Sequence, residues 1–281
     1  MEGKNVLLAI ILSSVVLISW SIFFEQPVVE KKIVNNQISD TNNKDQSTPT
    51  IEENKKLNET TRVDAINSVD RIKVENINIK GSISLKGGVI DDIIFKNYNQ
   101  KLNGEDKVTF LNPKNSSKEY FIETGWASGG NEKINLPLDS TVWEVKGNRT
   151  LSPNNPVTLE WKNGEGLIFT KKIKLDDKFL FSITQEIKNI SNKSFQFYPY
   201  AQITRKGRPE GRQIYILHEG FLGVFGEELK EKDYTDIEKE KFTITSSKGW
   251  LGITDKYWLT AIVPENGKEF KSEFVFKDNK Y

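Results

Sequence analysis

Val6–Phe24, VLLAIILSSVVLISWSIFF, carries no charged residue, and no apolar run of similar length recurs in the chain. As a helix it covers roughly 28 Å, close to the ~30 Å hydrocarbon core of a bilayer. A cleaved signal peptide has a shorter apolar core followed by a small-residue cleavage site. Here no Ala-x-Ala follows, and Ser19-Trp20-Ser21 runs straight on into Ile22-Phe23-Phe24. There is no cysteine to carry a lipid. Residues 1–25 are therefore read as an uncleaved transmembrane anchor, with Trp20, Phe23 and Phe24 at the interface. Lys4 lies before the run and Lys31 and Lys32 after it, offset by Glu2, Glu25 and Glu30. The short N-terminus is expected inside and the bulk of the chain exported.

Residues 26–70 are polar, and no aromatic residue occurs between Phe24 and Phe95. Such a stretch lacks the apolar area that offsets ordering entropy, so it is read as a flexible linker. Its tail, Arg62–Val74, is expected to form a short helix or a strand edge.

From residue 71 to 281 the hydropathy has period two. Phe179, Phe181, Ile183 and Ile187 alternate with polar residues, as do Phe270, Phe274 and Phe276. Further strands are expected at Ile77–Leu85, Val89–Tyr98, Lys107–Leu111, Tyr120–Thr124, Thr141–Lys146, Val157–Trp161, Leu167–Leu175, Phe195–Thr204, Gln213–Leu217, Phe242–Ser246 and Tyr257–Val263. Turns such as Lys86-Gly87-Gly88, Asn103-Gly104 and Asn163-Gly164 punctuate them. Many short strands with such breaks imply an all-β sandwich or barrel. Gly226–Lys241 reads as the one helical stretch, with a short surface helix near Tyr234–Glu240 started by Thr235 or Asp236.

The formal net charge of +1 gives no global attraction for nucleic acid. Zero cysteines exclude disulfides and thiolate chemistry. His218 is the only histidine. Paired with Glu219, Glu227 or Glu228 it would serve as the acid–base couple of a sugar epimerase; otherwise it is a strand-end histidine with a local hydrogen bond. In Asp91-Asp92, Asp176-Asp177 and Glu227-Glu228 neighbours on a strand would face opposite sides and not converge on one substrate, so the three pairs are read as turn or surface residues. Gly220–Gly226 lacks a phosphate-loop lysine. No catalytic, cofactor-binding or metal residue is assigned. Three of the six arginines fall in one loop, where Arg205, Lys206, Arg208 and Arg212 suit contact with phospholipid headgroups or an acidic partner.

Gly249–Pro264, GWLGITDKYWLTAIVP, is an aromatic-rich turn and strand in which Trp250, Tyr257 and Trp258 flank the corner Thr254-Asp255-Lys256. The run resembles the segment that ends the periplasmic domain of YidC-type membrane protein insertases, with Gly249, Trp250, Thr254, Asp255, Lys256, Tyr257, Trp258 and Pro264 as structural positions. Lys4–Leu8 with Ser19-Trp20, Gly81–Asp92, Ile216–Val224 and Leu229–Tyr234 resemble other parts of that family in the same order.

The resemblance implies a large β-sandwich of the galactose-mutarotase-like supersandwich type. It implies a non-enzymatic role in insertion, folding and assembly of inner-membrane proteins, with nascent membrane proteins, the lipid bilayer and the Sec translocon with its accessory subunits as partners. The expected location is the bacterial inner membrane, N-terminus cytoplasmic and main domain periplasmic. Family members continue into a helical bundle with a polar groove, so the chain is expected to be a fragment. The competing reading is a membrane-anchored carbohydrate-binding or aldose-epimerase-like module.

Overall fold

A computed structural model describes residues 60–130, 133–209 and 218–281. The apolar run Val6–Phe24 and the strand expected at Gln213–Leu217 lie outside the described residues. Among the described residues no helix is long and apolar enough to cross a membrane.

Strands are numbered along the chain. Leu167–Leu175 is β9, and its inward residues Leu167, Phe169, Lys171, Ile173 and Leu175 are all buried. It lies between β8 (Val157–Lys162) and β10 (Phe181–Asn189) in a four-stranded sheet whose outer member is β6 (Glu144–Lys146). Opposite it is a seven-stranded sheet. Its order is β11 (Phe197–Arg205), β5 (Tyr120–Ser128), β3 (Val89–Asn99), β2 (Ile79–Ser84), β1 (Arg71–Glu75) and β7 (Thr150–Leu151), with β4 (Lys107–Leu111) paired to β3. The two sheets close over one core that includes Ile72, Val74, Ile83, Trp143, Leu159, Phe169 and Ile173. Alternation on both inner faces is what makes a sandwich: each sheet has one apolar side that only another apolar side can cover.

A second core collects Phe221, Phe225, Tyr234, Ile237, Ile253, Phe274 and Tyr281. Around it are the sheet β13 (Glu228–Asp233), β12 (Gly220–Phe225), β15 (Gly249–Thr254), β16 (Leu259–Ile262) and the pair β14 (Phe242–Ser246) with β17 (Phe270–Phe274).

The tail of the polar stretch holds both expected elements, helix α1 (Arg62–Asn67) followed by β1. Thr61 caps α1 by accepting from the Asp64 N–H. The short helix expected near Tyr234–Glu240 is present as α2 (Tyr234–Lys239), with Asp233 rather than Thr235 or Asp236 as its N-cap; the rest of the stretch read as helical after Gly226 is not helix. The first half, Glu228–Asp233, is instead the edge strand β13, paired with β12 from Gly220↔Asp233 to Phe225↔Glu228. Its charges line an exposed strand, so no apolar period marks it.

Candidate functional site

The Gly249–Pro264 run forms β15, a tight corner and β16. Gly249 has φ +132°, and a Cβ there would sit 1.9 Å from the Val224 carbonyl oxygen, so only glycine allows β12 and β15 to approach here. Within the corner the Asp255 N–H donates to Trp258 O at 2.8 Å. The Thr254 hydroxyl reaches Asp255 O at 3.1 Å and Trp258 O at 3.3 Å. Trp250 is half-buried opposite Val224, and Pro264 lies just past the end of β16.

The Asp255 carboxylate turns inward. Arg205 Nη1 donates to both of its oxygens at 2.6 Å. The Arg205 guanidinium lies 5.0 Å from the Tyr120 ring centre, and the Tyr120 hydroxyl donates to Thr260 Oγ1 at 2.6 Å. Burial pushes the Tyr120 phenol up to about 12, and burial likewise raises Tyr234, whose hydroxyl lies 3.4 Å from Asp255 Oδ1. Arg205 thus joins the end of β11 to the corner of the family motif.

The basic loop is accordingly divided. Arg205 is mostly buried in this clasp. Arg208 forks onto Glu238, Nε to Oε1 at 3.0 Å and Nη2 to Oε2 at 2.5 Å, and contacts the Tyr281 hydroxyl. Lys206 donates its backbone N–H to Glu119 O beside the strap Lys277–Tyr281. Arg212 lies outside the described residues. Tyr257 is exposed and Lys256 half-buried, its ammonium 4.7 Å from the Tyr257 ring centre. Trp258 packs on Phe95 and Tyr98, with ring centres 4.6 and 4.8 Å apart.

A second polar site lies inside the sandwich. Lys171 occupies an inward position of β9, and Nζ donates to Thr124 O at 2.6 Å and Gly87 O at 3.3 Å. It sits 4.8 Å from the Trp143 ring centre, and the buried Trp143 indole N–H has no acceptor among the described residues. Burial pulls the Lys171 ammonium down to about 8 and pushes the Glu123 carboxyl up. Lys114 bridges Glu123 and Asp139, which line the same small cavity as Lys171. The sequence carried a signal for this site: a lysine in the inward register of an alternating strand.

Asp91 and Asp92 are not surface residues. Both are buried, and they pair with Arg71 and Arg62 respectively. The register slips between Ser82 and Ile83, which leaves Asp91 as the extra residue of a bulge and lets two neighbours enter one network. Burial raises the Asp91 carboxyl against the pull of Arg71. Asp176 does hold a turn, its Oδ1 accepting from the Lys178 and Leu180 N–H groups. His218 places Nε2 2.9 Å from Phe221 O and Nδ1 3.2 Å from Asp233. The carboxylate beside it is Asp233, not Glu219, Glu227 or Glu228. Among the described residues no group of three His, Cys, Asp or Glu could hold a metal ion.

A family model described as the YidC periplasmic domain matches residues 71–281, beginning where β1 begins. The chain is 47% identical over 279 residues to the membrane protein insertase YidC of Pelagibacter ubique, covering 99% of this chain and 50% of that protein. It is 36% identical to the protein of that name from Rickettsia bellii, covering 97% of this chain and 48% of that protein. It is 33% identical to that of Bradyrhizobium diazoefficiens, again covering 97% and 48%. The chain thus spans about half the length of these curated relatives.

Proposed function

Because this chain belongs to the YidC membrane protein insertase family, we propose that it supplies the anchor and the periplasmic domain of an insertase that assists insertion, folding and assembly of inner-membrane proteins. The observation that carries this is the continuous match across 71–281 together with relatives aligned over nearly the whole chain. In this reading residues 1–25 span the inner membrane with the N-terminus cytoplasmic, residues 26–70 link, and the sandwich lies in the periplasm. The sandwich works by contact, docking on the Sec translocon and its accessory subunits while a nascent membrane protein inserts. The clasped corner, with its side chains tied to each other, suits a scaffold rather than a reaction centre.

The test is a chimera in which this chain replaces the corresponding half of the Pelagibacter ubique relative, in cells depleted of their own insertase. Insertion of a reporter membrane protein, and co-purification of Sec subunits with the chimera, are expected. A chimera that is folded and membrane-bound yet inserts nothing refutes the insertase reading. Insertion without Sec co-purification refutes the docking role alone.

A further inference from the structure

Four turns, three from the sandwich and one from the neighbouring sheet, gather at one end of the domain, each with a large apolar side chain at its apex. Ile77 lies between β1 and β2, Leu102 between β3 and β4, Phe179 and Leu180 between β9 and β10, and Tyr257 between β15 and β16. Their exposures are 74% for Ile77, 98% for Leu102, 48% for Phe179, 58% for Leu180 and 71% for Tyr257. Single exposed apolar residues are ordinary, but a set gathered at one end of a domain marks a contact surface.

Two of the turns are hydrogen-bonded to each other, and ring contacts connect the bases of the others. Asn76 Nδ2 donates to Asp176 O at 2.8 Å and Lys178 O at 2.9 Å, and Asn78 Nδ2 donates to Asp177 O at 2.8 Å. Beneath the apices Phe95 touches Phe179 and Trp258, with ring centres 5.6 and 4.6 Å apart. The loop carrying Leu102 leaves β3 just after Tyr98, whose ring packs on Trp258, and it closes with the Gln100 N–H on Asp106 O.

We propose that this end is a bilayer-inserting tip, in which Ile77, Leu102, Phe179 and Tyr257 enter the headgroup–acyl boundary of the membrane that anchors the chain. The proposal rests on the anchored reading above and adds the orientation of the domain. Three features favour lipid as the occupant. Tyr98, Tyr257 and Trp258 are the amphipathic ring types that collect at membrane interfaces. A lysine directly precedes the apex in three of the four turns, Lys101, Lys178 and Lys256, placing ammonium groups at phosphate depth when the apices are inserted. Finally, in the anchored reading residues 26–70 tie the domain to the bilayer that residues 1–25 span, so that bilayer is the surface the tip meets at raised effective concentration. Glu105, Asp106 and Asp177 offset the lysines. Binding is therefore driven by apolar insertion and persists at high salt on zwitterionic lipid.

The chain has no cysteine, so a single introduced cysteine takes a polarity-sensitive nitrobenzoxadiazole label cleanly. Leu102→Cys and Tyr257→Cys report on the tip. Val142→Cys, exposed beside Lys86 at the far end of β3, is the control. The labelled full chain is reconstituted in phosphatidylcholine vesicles with or without brominated acyl chains. Emission at 102 and 257 is expected to fall about twofold or more with brominated lipid, as for groups at the acyl boundary, and to be unchanged at 142. Phe179→Ser with Tyr257→Ser should abolish quenching at 102 while the circular dichroism of the domain is retained.

Unquenched labels at 102 and 257 on a chain that stays in the vesicles through an alkaline wash overturn the tip and leave the anchor standing. A chain washed off the vesicles overturns both. Equal quenching at 142 also overturns the tip, as would a blue shift at 102 that brominated lipid does not quench, which reports a protein surface instead.

Discussion

Removal of Arg205 tests whether the motif corner is held from inside. The Arg205 and Asp255 side chains keep 13% and 23% of their exposure, so the pair is partly wetted. Truncating one partner of a fully buried pair costs about 3–5 kcal/mol, because the remaining charge is stranded in low dielectric. With a fifth of the carboxylate still facing water, Arg205→Ala should cost about 2–3 kcal/mol, including about 0.5 kcal/mol for the lost stacking on Tyr120. Asp255→Ala should cost about 2 kcal/mol for the same reason. If the two groups act on each other, the double variant loses less than the sum, with a coupling of about 1–2 kcal/mol. The assay is urea unfolding in mild detergent followed by the circular dichroism of the sheets, with an unchanged m-value required before midpoints are converted to energies. Arg205→Lys keeps the charge but not the fork, and should recover less than half of the loss. A coupling below about 0.5 kcal/mol would refute the clasp and return Arg205 to the surface role that its loop suggests.

Lys171 sets a pH dependence whose sign follows from its burial. The folded-state value near 8 lies below the ordinary lysine value of 10.5, so between those limits the unfolded chain still holds a proton that the folded chain has released. The cost of burying the ammonium is therefore fully present below about pH 8 and is relieved as pH rises to about 10.5, a gain of about 3 kcal/mol that Lys171→Met should abolish in the difference between the two unfolding profiles. Gly249→Ala drives a Cβ into the Val224 carbonyl at a left-handed φ and should cost more than about 3 kcal/mol, whereas Gly130→Ala, with nothing within 4 Å, should stay within about 0.5 kcal/mol in the same thermal-melt comparison.

Alternation made the inner strands readable. Leu167–Leu175 and Phe242–Ser246 have the bounds that their period-two patterns imply, because each residue there has one apolar or one wet side to choose. The edge hairpin formed by β12 and β13 was not readable, since Glu228–Asp233 bears charge on both faces and a strand without a buried face shows no period. The carboxylates Asp91 and Asp92 failed for a different reason. The argument that neighbours on a strand diverge holds for a regular ladder, and the bulge at Ser82 and Ile83 breaks that ladder. Lys171 shows a third limit. Its register was legible, but the Thr124 and Gly87 carbonyls that make an inward ammonium tolerable come from residues 47 and 84 positions away.

As sequence, the basic loop and the aromatic corner are independent, one a cluster of arginines and the other a family motif. They meet because β11 ends beside β16, so that Arg205 reaches Asp255 across the boundary between the two cores. The consequence is an asymmetry within four residues. Asp255 is drawn inward by Arg205, and its N–H closes the corner onto Trp258. Trp258 packs on Phe95, and the neighbouring Tyr257 is exposed. An exposed tyrosine on a mobile loop would lose ordering entropy on every contact it made, whereas one held out by a clasped corner has little left to lose. The internal ion pair therefore bears on contact as well as on stability: loosening Arg205 should weaken whatever surface Tyr257 engages, even though Arg205 touches none of it.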